Sequence, residues 1–127
     1  LEVPVRNVVL LAEDNDCVAG LVGRILARIG LTVIRTETGA RCEKLFAERH
    51  AEIALVMLDC GLPDGDGAAL GQRLWARAPG LPILLMSGRE HAGARALTGS
   101  GKAVFLSKPF FPGQLEERIA ALLGAVA

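Results

Sequence analysis

The stretch Ile53-Ala54-Leu55-Val56-Met57-Leu58-Asp59-Cys60-Gly61-Leu62-Pro63-Asp64-Gly65-Asp66-Gly67 is an apolar run that ends in an acid and a turn. A short unbroken apolar run bounded by Gly and Pro reads as a strand buried on both faces. Asp59 stands at its mouth, followed by a Gly/Pro/Asp loop. An acid there is placed for chemistry rather than packing. Three other apolar runs end in polar residues that can meet it. Val8-Val9-Leu10-Leu11-Ala12 leads into Glu13-Asp14, Ile83-Leu84-Leu85-Met86 into Ser87, and Val104-Phe105-Leu106 into Ser107-Lys108.

Between these runs the periodicity changes to that of helices. Val18, Leu21, Val22, Ile25, Leu26 and Ile29 follow the i, i+3, i+4, i+7 spacing. Asp14 or Asn15 can cap that helix, and Gly30 follows its last apolar position as a C-terminal glycine does. Leu31-Thr32-Val33-Ile34 is a second strand. Gly39 opens a helix with Cys42, Leu45 and Phe46 inward. A third helix runs from about Gly65 to Ala78 with Leu70, Leu74 and Trp75, and Pro79-Gly80 stops it. Residues 90–99 form a weak fourth helix, interrupted by Gly93. Pro112 starts a fifth, with Leu115, Ile119, Leu122, Leu123 and Val126 on one face.

Doubly buried strands alternating with helices predict a five-stranded parallel sheet covered on both sides, a doubly wound α/β fold. In such sheets ligands bind outside the carboxyl ends of the strands. That rule gathers Glu13, Asp14, Asp59, Ser87 and Lys108 into one pocket. Each has a plainer reading alone. Glu13-Asp14 serves as a helix cap and dipole partner, Asp59 as a turn residue, Lys108 as a surface lysine. Agreement of four strand ends selects the pocket. The lone His50 and His91 read as helix-end and exposed residues, and Trp75 as core or partial core. Arg24, Arg28, Arg73 and Arg77 read as solvated helix faces.

Bulk properties agree with a single domain. The 127 residues are 51% hydrophobic, and fourteen acids balance fourteen Lys and Arg. Zero net charge gives no pull toward nucleic acid or acidic membranes. No apolar stretch approaches the ~18 residues of a membrane helix, and no signal-peptide pattern is present. The expectation is a cytoplasmic domain without membrane contact or direct nucleic-acid binding. Cys17, Cys42 and Cys60 form no CxxC pair and read as reduced thiols.

Charge specifies the chemistry. Two carboxylates ~4 Å apart repel by about 4 kcal/mol at an effective dielectric near 20. Three acids therefore need Lys108 and a hard divalent cation, Mg²⁺ or Mn²⁺, which takes oxygen ligands. Such a site suits phosphoryl transfer to a carboxylate, with Asp59 as nucleophile, Lys108 and the cation on the equatorial oxygens, and the Ser87 hydroxyl as a donor.

Four motifs carry a family resemblance: Leu-Leu-Ala-Glu13-Asp14-Asn15, Met-Leu-Asp59-Cys-Gly-Leu-Pro63-Asp-Gly-Asp66-Gly67, Leu-Leu-Met-Ser87-Gly88 and Phe105-Leu-Ser-Lys108-Pro109-Phe110. In this order, at the ends of strands one, three, four and five, they resemble the receiver domain of two-component response regulators, nearly end to end. The resemblance implies a flavodoxin-like (βα)5 fold with strand order 2-1-3-4-5 over residues 1–127. It implies that Asp59 takes phosphate from a phosphohistidine. Glu13, Asp14, Asp59 and the Gly61 carbonyl would hold Mg²⁺, with Ser87, Gly88 and Lys108 on the phosphoryl side. It implies a cis Lys108-Pro109 bond. It further implies that Ser87 and Phe105 repack the face of the fourth helix, fifth strand and fifth helix, through which a homodimer can form. Gly61 and Arg89 fall at the family's variable positions that set phosphoryl lifetime, Ser87 stands where Thr is commoner, and Lys102 where a small residue is usual. The partner would be a histidine kinase or histidine phosphotransfer domain. Glu13-Asp14-Asn15, with the abrupt start and end of the chain, points to a receiver cut from a hybrid sensor kinase. The alternatives are a free-standing regulator, an Asp-nucleophile phosphatase of the haloacid dehalogenase type, and a phosphate-independent interaction domain. Gly61 stands where such a phosphatase has a second acid, and the intact acidic set argues against degeneration.

Overall fold

The computed structural model describes residues 6–88 and 103–124. Five strands, β1 (Val8–Ala12), β2 (Thr32–Thr36), β3 (Ile53–Asp59), β4 (Ile83–Ser87) and β5 (Ala103–Ser107), form one sheet. Every pairing in it is parallel, and the order across it is β2-β1-β3-β4-β5, the expected 2-1-3-4-5. Four α-helices are described: α1 (Asp16–Arg28), α2 (Gly39–Arg49), α3 (Gly67–Arg77) and α4 (Pro112–Leu123). The helix expected over 90–99 lies outside the described residues, as do Arg89, His91, Lys102 and Val126.

Strand alternation divides the core into two layers. Val9, Leu11, Leu55, Met57, Leu84 and Met86 pack with Val22, Ile25 and Leu26 of α1 and Leu115 and Ile119 of α4. Val8, Leu10, Val56, Leu58, Ile83 and Leu85 pack on the other face with Cys42 and Phe46 of α2 and Leu70 and Leu74 of α3. Each fully buried Leu or Ile contributes about 1.5–3 kcal/mol relative to exposure, which explains why unbroken apolar runs sit at the centre of the sheet. Trp75 is half-buried on the second layer, as expected, and its indole N–H donates to the Leu81 carbonyl at 2.7 Å. Among the described residues no helix is long and apolar enough to cross a membrane.

Local chemistry fixes the ends of the elements. Asn15, not Asp14, caps α1, its Oδ1 accepting from the Val18 amide at 3.0 Å. Gly30 ends α1 at φ +85°. The Leu31 amide donates to the Leu26 carbonyl and the Gly30 amide to the Ala27 carbonyl, a Schellman closure that favours glycine. β2 begins one residue later than expected and runs on to Thr36. α3 begins at Gly67 rather than Gly65 because Gly65–Asp66 pairs with Gly61–Leu62 in a short antiparallel hairpin. Asp66 then caps α3 by accepting from the Ala68 amide at 2.9 Å.

The same loop also caps a second helix. Asp64 accepts from the Gly39 amide at 2.8 Å and the Ala40 amide at 3.0 Å, while the Thr38 hydroxyl takes the Arg41 amide. Those two bonds hold the Asp64 carboxyl below its ordinary range. The solvated-face reading of the arginines holds for Arg28 and Arg73, which pair with Glu116 at 3.9 Å and Glu43 at 3.3 Å. Such exposed pairs contribute about 0–1 kcal/mol.

Candidate functional site

Four strand ends converge at the carboxyl edge of the sheet. Glu13 follows β1, Asp59 is the last residue of β3, Ser87 the last of β4, and Lys108 follows β5. Backbone bonds carry the alignment past the strands: the Cys60 amide donates to the Met86 carbonyl and the Lys108 amide to the Ser87 carbonyl, both at 2.8 Å. Lys108-Pro109 is cis, as expected. Glu13, Asp59 and Ser87 are buried, whereas Asp14, Gly61 and Gly88 are exposed at the rim. Ser87 lies one residue beyond Met86, the register partner of Asp59.

Lys108 ties the acids together. Its ammonium donates to Glu13 Oε1 at 2.6 Å and stands 3.3 Å from Asp59 Oδ1. Asp59 Oδ1 also accepts from the Gly61 amide at 3.2 Å, so both contacts fall on one oxygen and Oδ2 carries neither. Glu13 Oε2 takes the Asn15 amide at 3.1 Å. Burial pushes the Glu13 carboxyl above its ordinary range, and the Asp59 charge adds to the push. The Lys108 bond and the Asn15 amide oppose it without cancelling it. For Lys108, burial alone would lower the pKa. The bond to Glu13 and the charges of Glu13 and Asp59 outweigh it and hold the ammonium above its usual value.

Glu13, Asp14 and Asp59 each offer one carboxylate oxygen, all within 4.8 Å of one another. Around an octahedral ion with bonds of about 2.1 Å, ligand oxygens lie roughly 3–4.2 Å apart. Adjacent ligands lie at the short end of that range and only one pair of three can lie at the long end, so the acids would draw in to share such an ion. Oxygen-only donors, one exposed acid and a solvent-facing rim fit a hard cation that keeps part of its water. Cys60, beside Asp59, does not join this chemistry: burial first, then the charges of Asp66 and Asp59, push its thiol up to about 11. A thiol held protonated at neutral pH is a poor nucleophile.

The structure thus brings together Glu13, Asp14, Asp59 and Lys108, and places Gly61, Ser87 and Gly88 around them. Two contacts here were not read from the sequence. Gly67 is pressed against the Asp59 backbone, where a Cβ would lie 2.1 Å from the Asp59 carbonyl oxygen. Arg35 donates through Nε to the Glu13 carbonyl at 2.9 Å.

Known proteins resemble this chain in sequence and in fold. The model of the response regulator receiver domain matches residues 9–120. Transcriptional regulatory protein TctD of Salmonella typhimurium is 35% identical over 116 residues, covering 90% of this chain and 50% of that protein. Sensor kinase CckA of Brucella abortus is 34% identical over 116 residues, covering 91% of this chain and 12% of that protein. The chain spans half or less of the length of these relatives. Among solved structures, a putative response regulator from Chloroflexus aurantiacus matches with TM-score 0.82 and 25% identity, covering 95% of this chain and all of that one. The BeF3-activated N-terminal receiver domain of Klebsiella pneumoniae RstA matches with TM-score 0.80 and 26% identity, covering 94% of this chain and 100% of that one. With the family match spanning nearly the whole chain, on a sheet of the same order, this protein belongs to the response regulator receiver domain family of two-component signalling.

Proposed function

We propose that residues 1–127 form one receiver domain that accepts a phosphoryl group on Asp59 from a phosphohistidine of a histidine kinase or histidine phosphotransfer protein. The observation that carries this reading is the junction at Lys108, which bridges Glu13 and Asp59 beside the Glu13–Asp14–Asp59 oxygen cluster. Glu13, Asp14, Asp59 and the Gly61 carbonyl would hold Mg²⁺, or Mn²⁺ in its place. When bound, the ion neutralises charge on the phosphoryl oxygens. Asp59 attacks phosphorus through a carboxylate oxygen as the bond from phosphorus to the imidazole nitrogen breaks, the electron pair leaving with the imidazole. Lys108 is placed to leave Glu13 and follow the new negative charge, since its ammonium already lies 3.3 Å from Asp59.

Ser87 supplies a hydroxyl to a phosphoryl oxygen, and Gly88 leaves the rim open beside it. The output is repacking around Phe105, which is half-buried on β5 and whose carbonyl accepts from Arg118 of α4 at 3.0 Å. Moving such a switch from 1:99 to 99:1 takes about 5.5 kcal/mol of differential stabilisation. The same face is where a homodimer would form. Arg89, at the lifetime-setting position, lies outside the described residues; Arg89→Glu is expected to change the dephosphorylation rate, and an unchanged rate sinks that role.

The test is incubation with acetyl phosphate and Mg²⁺ followed by intact mass, beside Asp59→Asn. One Mg²⁺-dependent phosphoryl adduct, lost in Asp59→Asn, is expected. No adduct under conditions that modify a control receiver refutes the reading and favours a phosphate-independent interaction domain. For the parent protein, Glu13-Asp14-Asn15 favours a hybrid sensor histidine kinase. A response regulator is the second reading, favoured by relatives such as TctD. A kinase core in the same reading frame decides for the first, and a DNA-binding domain or none for the second.

A further inference from the structure

Arg35 lies in β2 opposite Leu11, one residue before the point where the β1–β2 ladder passes into the acidic loop. The Glu13 amide donates to the Thr36 carbonyl at 3.0 Å. The Glu13 carbonyl in turn accepts from Arg35 Nε at 2.9 Å. Arg35 Nη1 reaches Asp16 Oδ1 at 2.8 Å, and Nη2 stands 3.8 Å from Glu37 Oε1. One planar guanidinium therefore grips the loop at both ends, at the Glu13 carbonyl and at the first residue of α1. Asp14 lies between these grips. It is exposed, so no packing aims it, and its direction follows from the backbone that Arg35 holds.

We infer that Arg35 is a positioning residue that sets Glu13 and Asp14 for the divalent cation. This rests on the Mg²⁺-dependent reading above. Two physical alternatives predict opposite signs. A positive charge beside a cation site repels the cation, so an Arg35 acting by charge alone would weaken Mg²⁺ binding, and its removal would tighten it. An Arg35 acting through its rigid fork would have the reverse effect. Loss of residues that orient metal ligands typically costs 10–100-fold in affinity. The fork is also specific to arginine, because a lysine offers one compact ammonium and cannot bond both ends of the loop in this geometry.

The experiment is a Mg²⁺ titration of ¹⁵N-labelled protein followed at the Gly61 amide, for wild type, Arg35→Gln and Arg35→Lys, with acetyl phosphate labelling at saturating Mg²⁺. Arg35→Gln is expected to raise the half-saturating Mg²⁺ concentration about tenfold. Arg35→Lys, which keeps the charge, is also expected to raise it. Both should reach wild-type phosphorylation at saturating Mg²⁺, a separation that general misfolding does not produce. If Arg35→Gln fails to fold, Arg35→Lys alone carries the test. Binding as tight as wild type or tighter in the folded variants overturns the role of Arg35 and leaves the receiver chemistry intact. A wild type that shows no Mg²⁺ response overturns that chemistry, and the Arg35 assignment with it.

Discussion

Replacing Gly67 with alanine puts a methyl group where the structure has no room. The new carbon would lie 2.1 Å from the Asp59 carbonyl oxygen, 2.8 Å from its carbonyl carbon and 3.1 Å from the Cys60 Cα. All three are backbone atoms, so no side-chain rotation relieves the clash. Reaching an ordinary contact of about 3.5 Å requires the start of α3 and the end of β3 to part by roughly 1.4 Å. Both are pinned: the Gly67 amide donates to the Cys60 carbonyl at 3.2 Å, and Asp66 holds the Ala68 amide. Overpacking typically costs about 1–3 kcal/mol, and a doubly pinned backbone puts this site at the upper end. At this chain length about 3 kcal/mol lowers the midpoint of thermal unfolding by roughly 10 °C. The same displacement moves Asp59, the proposed phosphoacceptor, and misplacement by about 1 Å can reduce a rate about a hundredfold. Urea and thermal unfolding by circular dichroism, with acetyl phosphate labelling, measure both effects. Gly80→Ala, away from the site, is the control, because nothing lies within 4 Å of its Cβ position and its φ is not positive. A Gly67→Ala protein within about 0.5 kcal/mol of wild type, the range of ordinary surface substitutions, and labelled at the wild-type rate, would refute the reasoning.

Two other expectations are independent of phosphorylation. Asn15→Ala removes the cap of α1 and should cost about 1 kcal/mol, whereas Asp14→Ala should stay within about 0.5 kcal/mol; equal losses in urea unfolding would contradict the cap assignment. Burial pushes the Cys42 thiol from 9.0 up to about 12. The folded state therefore keeps the proton while the unfolded chain gives it up. The stability contributed is fully present below pH 9 and is lost as pH rises toward 12, by up to about 1.4 kcal/mol per pH unit. The difference in unfolding free energy between wild type and Cys42→Ala should narrow between pH 8 and 10.5, and a constant difference would show that the thiol is not the titrating group.

The sheet and the four polar strand ends were legible because each rests on local pattern: unbroken apolar runs, turn residues, and acids or a lysine just beyond; the order of the strands came from the family resemblance. Boundaries were less so. The expected start of the third helix at Gly65 gave way to Gly67 because the hairpin of Gly61–Leu62 with Gly65–Asp66 competes for those residues. Asp14 and Asn15 were equal candidates for a cap, and only the geometry at Val18 selects Asn15. Arg35 and Asp64 were illegible for a different reason. Their partners lie 22 and 24–25 residues away, and a lone arginine in a strand or an aspartate in a turn carries no mark of a distant contact.

Asp64 also bears on how such a domain can be taken apart. The loop that follows Asp59 supplies the side chain that begins α2, a helix already complete in sequence before that loop is reached. Exchanging residues 60–66 for those of another protein would strip the first two amides of α2 of their acceptor unless an acid is kept at position 64. Loop and helix start form a single interchangeable piece, cut from two separate parts of the chain. A graft that respects only the linear order of the sequence would transfer half of it.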